Sequence, residues 1–298
     1  MTTRGRASIG RSKRAGAARK VLVAFAGLLL VYVSLVNILI NSDWFEELCN
    51  SRPGRVQVEW DSIWTWFPGH ISLKNVRLRT QSLRVQSLVH AERASGWISF
   101  PSLRARTIRL FSVRITDLTS EVRSASMLRK AEPKEIRYFP VIPGFEPLTP
   151  ESAREFGPFR PGWQVRISDA KVTGTHRLAL GNYEISGTGT AFGEVSYRNH
   201  EKLEISGGSL SLSGTRVRVN GEELVSGVAS GRFTVHEFEP YLHPGLAKAP
   251  FISFDLDIEG RLASLDVVNF YLGVERDSNW PGLSAGGGIS GRLAVERG

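Results

Sequence analysis

Two glycine-rich motifs near the C-terminal end are the strongest candidates for chemistry in this sequence. Residues 282–286 read GLSAG, which matches the G-x-S-x-G turn that exposes a nucleophilic serine in hydrolases. That turn needs a strand before it and a helix after it, but Pro281 precedes the motif and more glycines follow it. No histidine follows Ser284, so the usual order of serine, acid and histidine is unavailable. Residues 286–291 match G-x-G-x-x-G, but a dinucleotide site also needs a following helix and a more distant acid, for which the sequence to Gly298 leaves no room.

The histidines and the single cysteine form no metal or catalytic pattern. Of six histidines, only His236 and His243 lie near each other, with Glu237 and Glu239 between them. In a strand, His236 and Glu237 point to opposite faces, and Pro240 interrupts the run, so a metal site is not predicted. One cysteine excludes a disulfide framework within the chain and a multi-cysteine metal site. We therefore expect no catalytic residues, no metal and no cofactor, and we interpret the chain as a non-enzyme.

Positive charge is concentrated towards the N-terminus. The 298 residues carry a formal charge of +9. Residues 1–20 hold seven cations and no acid, and the rest of the chain has 31 cations against 29 anions. A second excess lies in residues 51–130, with 14 cations and 5 anions. No exposed aromatics are expected to interleave with the arginines of residues 104–114, so solvated strand faces or an edge facing lipid headgroups are favoured over a nucleic-acid partner.

Residues 21–40 form an uncharged apolar run, VLVAFAGLLLVYVSLVNILI. As a helix its 20 residues would extend about 30 Å, the thickness of a bilayer hydrocarbon core. A buried core helix rarely runs this long without a charge. The apolar part of a cleaved signal peptide is shorter and ends in small residues, whereas this run continues into Asn41 and Trp44. An uncleaved signal anchor is therefore predicted.

The charges that flank this run predict its orientation. Cations precede it and three acids follow it, so the positive-inside rule puts residues 1–20 in the cytoplasm. Trp44 and Phe45 are then expected to be aromatic anchors at the far interface. In a Gram-negative bacterium the rest of the chain would lie in the periplasm, attached to the inner membrane. The alternative is a mitochondrial setting, because an arginine-rich, acid-free N-terminus also resembles a transit peptide.

The remainder of the chain reads as strands with one apolar and one polar face. Alternation of period two recurs in segments that begin at Ile71, Ile108, Trp163, Val217 and Ile252. The phase slips at Phe111, which predicts a β-bulge. No long helical period follows the anchor, so a mainly β fold with an antiparallel sheet is predicted. Aliphatic-Ser/Glu-Gly triplets end at Gly187, Gly207, Gly214, Gly260 and Gly291, where turns or bulges are expected.

Prolines divide the strands into two blocks. Seven of the 14 prolines lie between residues 133 and 161. Because proline removes ladder donors, residues 133–162 are predicted to be an extended connection. It separates a β-block at 41–132 from a glycine-punctuated β-block at 163–298. Whether these form two domains or one continuous sheet is left open by the sequence.

The first block carries a family pattern. After the anchor comes a strand at Arg55, the turn WTWFPG at 64–69, a strand ISLKNVRL at 71–78, and a later strand IRLFSVRI at 108–115. We expect Trp66 and Phe67 to be at least partly buried, with Pro68 and Gly69 forming the turn. This order resembles the N-terminal region of AsmA-like proteins, and type II secretion protein N is similar in plan.

The resemblance implies an elongated, twisted antiparallel sheet that curls into an apolar groove. It implies lipid transport between membranes, or support of outer-membrane homeostasis, without catalytic residues. Within such a groove the alternating set on one strand would face lipid: Ile252, Phe254, Leu256 and Ile258. The expected partners are the inner membrane, phospholipid or another lipid, and envelope proteins. The alternative is a non-catalytic assembly subunit of a secretion or envelope complex that binds protein partners through its sheet edges.

Overall fold

The fold is one apolar helix followed by one large open sheet. A computed structural model describes residues 9–82, 84–150, 163–198, 202–239, 250–263 and 286–297, with side chains from residue 19 onward. Eleven strands form a single sheet whose two end strands do not meet. The predicted mainly β class is confirmed. The sheet runs without a break through both sequence blocks.

Helix α1 (Ile9–Ile40) contains the apolar run. Its segment Arg19–Ile40 is long and apolar enough to cross a membrane, and none of it is buried against the rest of the protein. A short helix α2 (Asp43–Cys49) follows, and the Ser42 hydroxyl caps it by accepting a hydrogen bond from the backbone N–H of Phe45. Residues 41–55, which include α2, therefore connect the apolar helix to the first strand.

The strands follow in chain order and become long after the first two. They are β1 (Val56–Glu59), β2 (Ser62–Trp64), β3 (His70–Gln81), β4 (Val85–Ile98), β5 (Thr107–Ser124), β6 (Gln164–Leu180), β7 (Tyr183–Arg198), β8 (Lys202–Val219), β9 (Glu222–Phe238), β10 (Ile252–Leu262) and β11 (Gly287–Val295). Both β1 and β2 pair with β3, and from β3 onward each strand pairs with the next to β11. Short helices α3 (Phe100–Leu103) and α4 (Ala125–Leu128) and a 3₁₀ turn (Ile136–Tyr138) lie at strand ends.

One strand pair departs from the antiparallel prediction. Strands β5 and β6 are parallel, while every other pair in the described sheet is antiparallel. Parallel neighbours require the chain to return along the whole strand before it re-enters the sheet. The proline-rich stretch belongs to this return. A sequence pattern alone reveals strands but not the direction in which they pair.

The described part of this return, residues 125–150, contains a buried hydrophobic cluster. Leu128, Phe139 and Leu148 bury one another there, and Ile142 is also buried. The fully buried Gln86 of β4 holds the segment by bonding the carbonyl of Glu146 and the N–H of Leu148. Prolines exclude this segment from the sheet, and its interleaved large apolar residues fasten it to one end of the sheet.

Truncation of this core should be costly. We expect Leu128→Ala to lower the free energy of unfolding by about 2–5 kcal/mol, because its side chain is enclosed and a cavity would remain. Leu293→Ala is the matched control, since Leu293 is half exposed on β11. Denaturant unfolding of the purified protein followed by circular dichroism measures both variants. A loss at Leu128 no larger than the loss at Leu293 would contradict the packing described here.

The triplet glycines lie inside strands and not between them. Gly207 and Gly214 both lie within β8 with positive φ, at 59° and 58°, where the pairing with β9 shifts register. The bulge prediction is thus confirmed at these positions, and the turn prediction is wrong. The tight hairpin between β8 and β9 is made by Asn220 and Gly221, with φ of 55° and 80°, as a type I′ turn requires. The phase slip at Phe111 is confirmed as a register shift between β4 and β5.

Candidate functional site

An apolar row crosses nearly the whole sheet. Residues directly opposite each other in neighbouring strands point to the same face. Following these pairs from β2 to β11 gives ten residues without a polar side chain: Ile63, Leu73, Ala94, Ile115, Val172, Ala191, Leu210, Gly231, Leu256 and Leu293. With neighbouring strands about 4.8 Å apart, the row is about 43 Å wide.

A second apolar row lies on the same face, towards the other end of the strands. It consists of Ile98, Leu110, Ile167, Val195, Ile205, Val235 and Ile252. On the regular strand β10, Ile252 and Leu256 are an even number of residues apart, so both rows share one face. We name this surface the apolar face.

The neighbouring row on the opposite face is polar throughout. It runs one residue further along each strand and consists of Ser62, Lys74, Arg93, Thr116, Thr173, Thr190, Ser211, Ser230, Asp257 and Arg292. We name this surface the polar face. A sheet with such faces has one side suited to water and one suited to a hydrocarbon environment.

The proline-rich return packs on the polar face. Arg123 of β5 bonds the carbonyls of Leu148 and Pro140, and its register partner Gln86 bonds the same segment. Burial lowers the pKa of Arg123 from its ordinary value, but far too little to discharge a guanidinium at neutral pH. The return therefore covers polar rows and leaves the apolar face to other contacts.

Within the described residues, no second layer covers the apolar face. The main contacts of the described helices with the sheet are to β1, β2 and β5. Leu178, Ile185 and Leu293 on this face are each 40% exposed or more. An apolar surface of this extent in water marks a binding surface.

The four residues predicted to line a groove all lie on the apolar face. Ile252, Phe254, Leu256 and Ile258 are half-buried and face their partners on β9 in regular register. The intervening Asp255 and Asp257 lie on the polar face. There the Arg292 guanidinium bonds both oxygens of Asp255 and lowers the pKa of that carboxyl below its ordinary value. The alternation that suggested this strand is therefore present in three dimensions.

The start of the apolar face is joined to helix α1 by two asparagines. The Asn41 side chain donates to the carbonyl of Ile63 at 2.7 Å and accepts from its N–H at 3.0 Å. The Asn37 side chain makes the same pair of bonds to Thr65, at 2.7 and 2.9 Å. Four residues of helix rise about 6.0 Å and two residues of strand about 6.6 Å, so the two amides match Ile63 of β2 and Thr65 directly after it.

This junction was not foreseen from the sequence, although its signal is visible there. Two asparagines four residues apart at the end of an apolar run present two amides on one helix face. Each amide supplies one donor and one acceptor, as a neighbouring strand would. The third such pair is Asn50 with Val58 of β1. The first edge of the sheet is thus capped by side chains at and after the end of helix α1.

The predicted interface anchors differ in their surroundings. Trp44 is 59% exposed, at the start of α2. Phe45 is half-buried and its ring lies 6.0 Å from that of Trp60. One of the two aromatic side chains therefore remains free for a membrane interface, while the other packs α2 against the start of the sheet.

A cleft of about 290 Å³ lies between the polar face and the proline-rich return. Its charged lining is balanced, with Arg177 bridging Glu121 and Glu184, and Arg218 also bonding Glu184. Burial alone would lower the pKa of Arg177, but its hydrogen bonds to both glutamates outweigh burial and raise it. These ion pairs tie β5 to β8 together across the sheet.

No catalytic arrangement is visible in the part of the chain that the structure describes. No group of three His, Cys, Asp or Glu side chains could hold a metal ion among those residues. His236 lies in β9 and bonds the hydroxyl of Ser253. His243 and residues 282–285 of the GLSAG motif lie outside the described residues.

No protein-family model matches the chain, and no curated protein is similar to it. The two faces of the sheet and their connection to helix α1 are therefore the features that bear on function.

Proposed function

We propose that this protein is a single-span membrane protein whose sheet binds lipid acyl chains along its apolar face and guides them away from the bilayer. The observation that carries the proposal is the continuity between helix and face. The apolar row begins at Ile63, and the backbone of Ile63 is bonded to Asn41 at the end of the apolar helix. A hydrocarbon chain that leaves the bilayer at this point meets apolar side chains across all the following strands.

The cellular location and the protein class are part of the same proposal. The N-terminal cations favour residues 1–20 in the cytoplasm and the sheet in the periplasm, with the helix in the inner membrane. The sequence pattern at 55–115 supports an AsmA-like protein with a role in lipid transport between membranes or in outer-membrane homeostasis. A sheet that curls around its apolar face would form the groove that such a role needs.

Adjacent residues on β8 allow a sharp test. A photo-crosslinking amino acid at Leu210 samples the apolar face, and the same group at Ser211 samples the polar face one residue away. We expect phospholipid adducts at Leu210, identified by mass spectrometry after irradiation of intact cells, and none at Ser211. Equal adducts at both positions, or none at Leu210 in folded protein, would refute lipid binding on this face.

The second candidate function is assembly with a protein partner through the last strand. The outer edge of β11 has no neighbouring strand among the described residues, and most of the strand is exposed. An unpaired strand edge is a template for addition of a further strand. The same crosslinker at Ser290 tests this candidate. Protein adducts there, with none of lipid at Leu210, would favour an assembly subunit.

A further inference from the structure

A group of five aromatic residues lies where the sheet meets helix α1. Trp66 lies 5.7 Å from Phe67 and 5.8 Å from Trp97, and Trp97 stacks on Phe111 at 6.3 Å, measured between ring centroids. Trp64 lies on the polar face of the sheet, because Ser62, two residues before it on β2, is part of the polar row. We name these five residues the aromatic patch.

The patch is more exposed than the sequence indicated. The turn itself is confirmed, with the His70 N–H bonded to the Phe67 carbonyl and Gly69 at φ 90°, as a type II turn requires. Trp66 is nevertheless 51% exposed and Phe67 39%. Trp64 is 53% exposed. This many half-exposed aromatic rings in one place indicate a surface that contacts another molecule or a membrane.

The junction with α1 fixes the depth of the patch relative to a membrane. Trp64 and Trp66 flank Thr65, whose backbone is bonded to Asn37. Asn37 lies within the apolar segment Arg19–Ile40, about 4.5 Å before its end by helix rise. If α1 spans a bilayer, Thr65 lies at the boundary between hydrocarbon and headgroups, and both tryptophans lie beside it. Tryptophan is enriched at that boundary.

Exposed cations lie close to the patch along the chain. Arg104 and Arg106 follow α3, and Arg109 lies two residues before Phe111 on the same strand. Phe100 of α3 is itself 56% exposed. Within the described residues, the guanidinium groups of these three arginines form no ion pair. Aromatic rings bordered by free cations match an interface with anionic headgroups.

We propose that the aromatic patch and Arg104, Arg106 and Arg109 dock on the surface of an anionic phospholipid bilayer, in the leaflet from which α1 emerges after Ile40. The docked end orients the sheet so that the first strands touch the membrane. This inference rests on α1 spanning a bilayer and is independent of whether the apolar face carries lipid.

Depth measurements on the full-length protein in nanodiscs test the proposal. On a Cys49→Ser background, nitroxide labels are placed by Trp66→Cys and by Phe100→Cys. Ser211→Cys, exposed on the polar face, is the matched control, and Leu28→Cys reports insertion of α1. We expect the labels at 66 and 100 to lie about 5–10 Å below the phosphates, the label at 211 in water, and the label at 28 in the hydrocarbon.

The lipid composition separates the charge contribution. Changing the three arginines to glutamine should shift the labels at 66 and 100 towards water in nanodiscs with anionic lipid, and much less in zwitterionic ones. Labels at 66 and 100 that are as accessible to water as the label at 211, with α1 inserted, would overturn the proposal. A label at 28 outside the hydrocarbon would also overturn the proposal, because α1 would then not span the bilayer and could not fix the depth of the patch.

Discussion

If the apolar face binds lipid as proposed, Leu256→Asp should leave the sheet folded and abolish that binding. Leu256 is the last but one residue of the apolar row, opposite Gly231 of β9 on one side and Leu293 of β11 on the other. Gly231 has no side chain to pack against the new carboxylate, and Leu293 is half exposed. Water can therefore reach the carboxylate. We therefore expect a loss of about 3 kcal/mol of stability or less, while a fully enclosed charge would cost far more.

The effect on lipid should be much larger than the effect on fold. A carboxylate beside an acyl chain must lose its hydration or expel the chain, and expulsion is the cheaper outcome. We expect roughly a tenfold loss of co-purified phospholipid or more, corresponding to about 1.4 kcal/mol or more of binding free energy. Native mass spectrometry of the detergent-extracted protein measures lipid, and thermal unfolding is followed on the same sample.

Ser211→Asp is the control for this variant. It adds the same charge to the polar face, next to Thr190 and Ser230. We expect neither lipid nor stability to change appreciably. If Leu256→Asp unfolds the protein, the strand belongs to a closed β-core and no longer supports lipid binding. If the variant stays folded and keeps its lipid, this strand does not line the lipid path.

The double change Asn37→Leu and Asn41→Leu should uncouple helix α1 from the sheet. Leucine favours the helix and makes both positions apolar, but it leaves the N–H and carbonyl groups of Ile63 and Thr65 without their partners. Both residues are buried, at 6% and 3% exposure, so these groups lose their bonds where water enters poorly. Each unsatisfied group costs about 1–3 kcal/mol, which favours detachment of β2 from the helix.

A distance measurement shows the uncoupling directly. Nitroxide labels at Leu35→Cys on α1 and Ser62→Cys on β2, again on Cys49→Ser, should give one narrow distance distribution in the otherwise unchanged protein. We expect the double leucine variant to broaden it markedly. Ser34→Leu is the matched control, since it adds an apolar residue to an exposed helix position and leaves both amide pairs intact. A distribution as narrow as that of the control would show that the amide pairs do not hold the junction.

Local periodicity was enough to predict the elements of this protein. The uncharged run at 21–40 exceeds what a core helix tolerates, and α1 contains it. Strict alternation at 252–258 separates apolar from polar side chains in any strand, and β10 keeps that separation. Gly69 and Pro68 specify a turn by their own backbone preferences, and that turn is present. These properties depend on neighbours along the chain, which the sequence displays.

Only the tertiary structure decided in which direction neighbouring strands run and which face of the sheet is covered. The sequences of β5 and β6 do not indicate that the two strands run parallel, because apolar and polar residues alternate equally well in either direction. The parallel pairing follows from the path of the intervening chain. The packing of Leu128 with Phe139 and Leu148, and the match of Asn37 and Asn41 to β2, depend on residues far apart in sequence meeting at fixed spacing. The sequence by itself determined which residues are apolar and how they alternate. Only the folded sheet decided that these residues join into one continuous face, that the proline-rich return packs on the opposite side, and that the face begins at the end of helix α1, because strand register and chain path are set by contacts between distant segments.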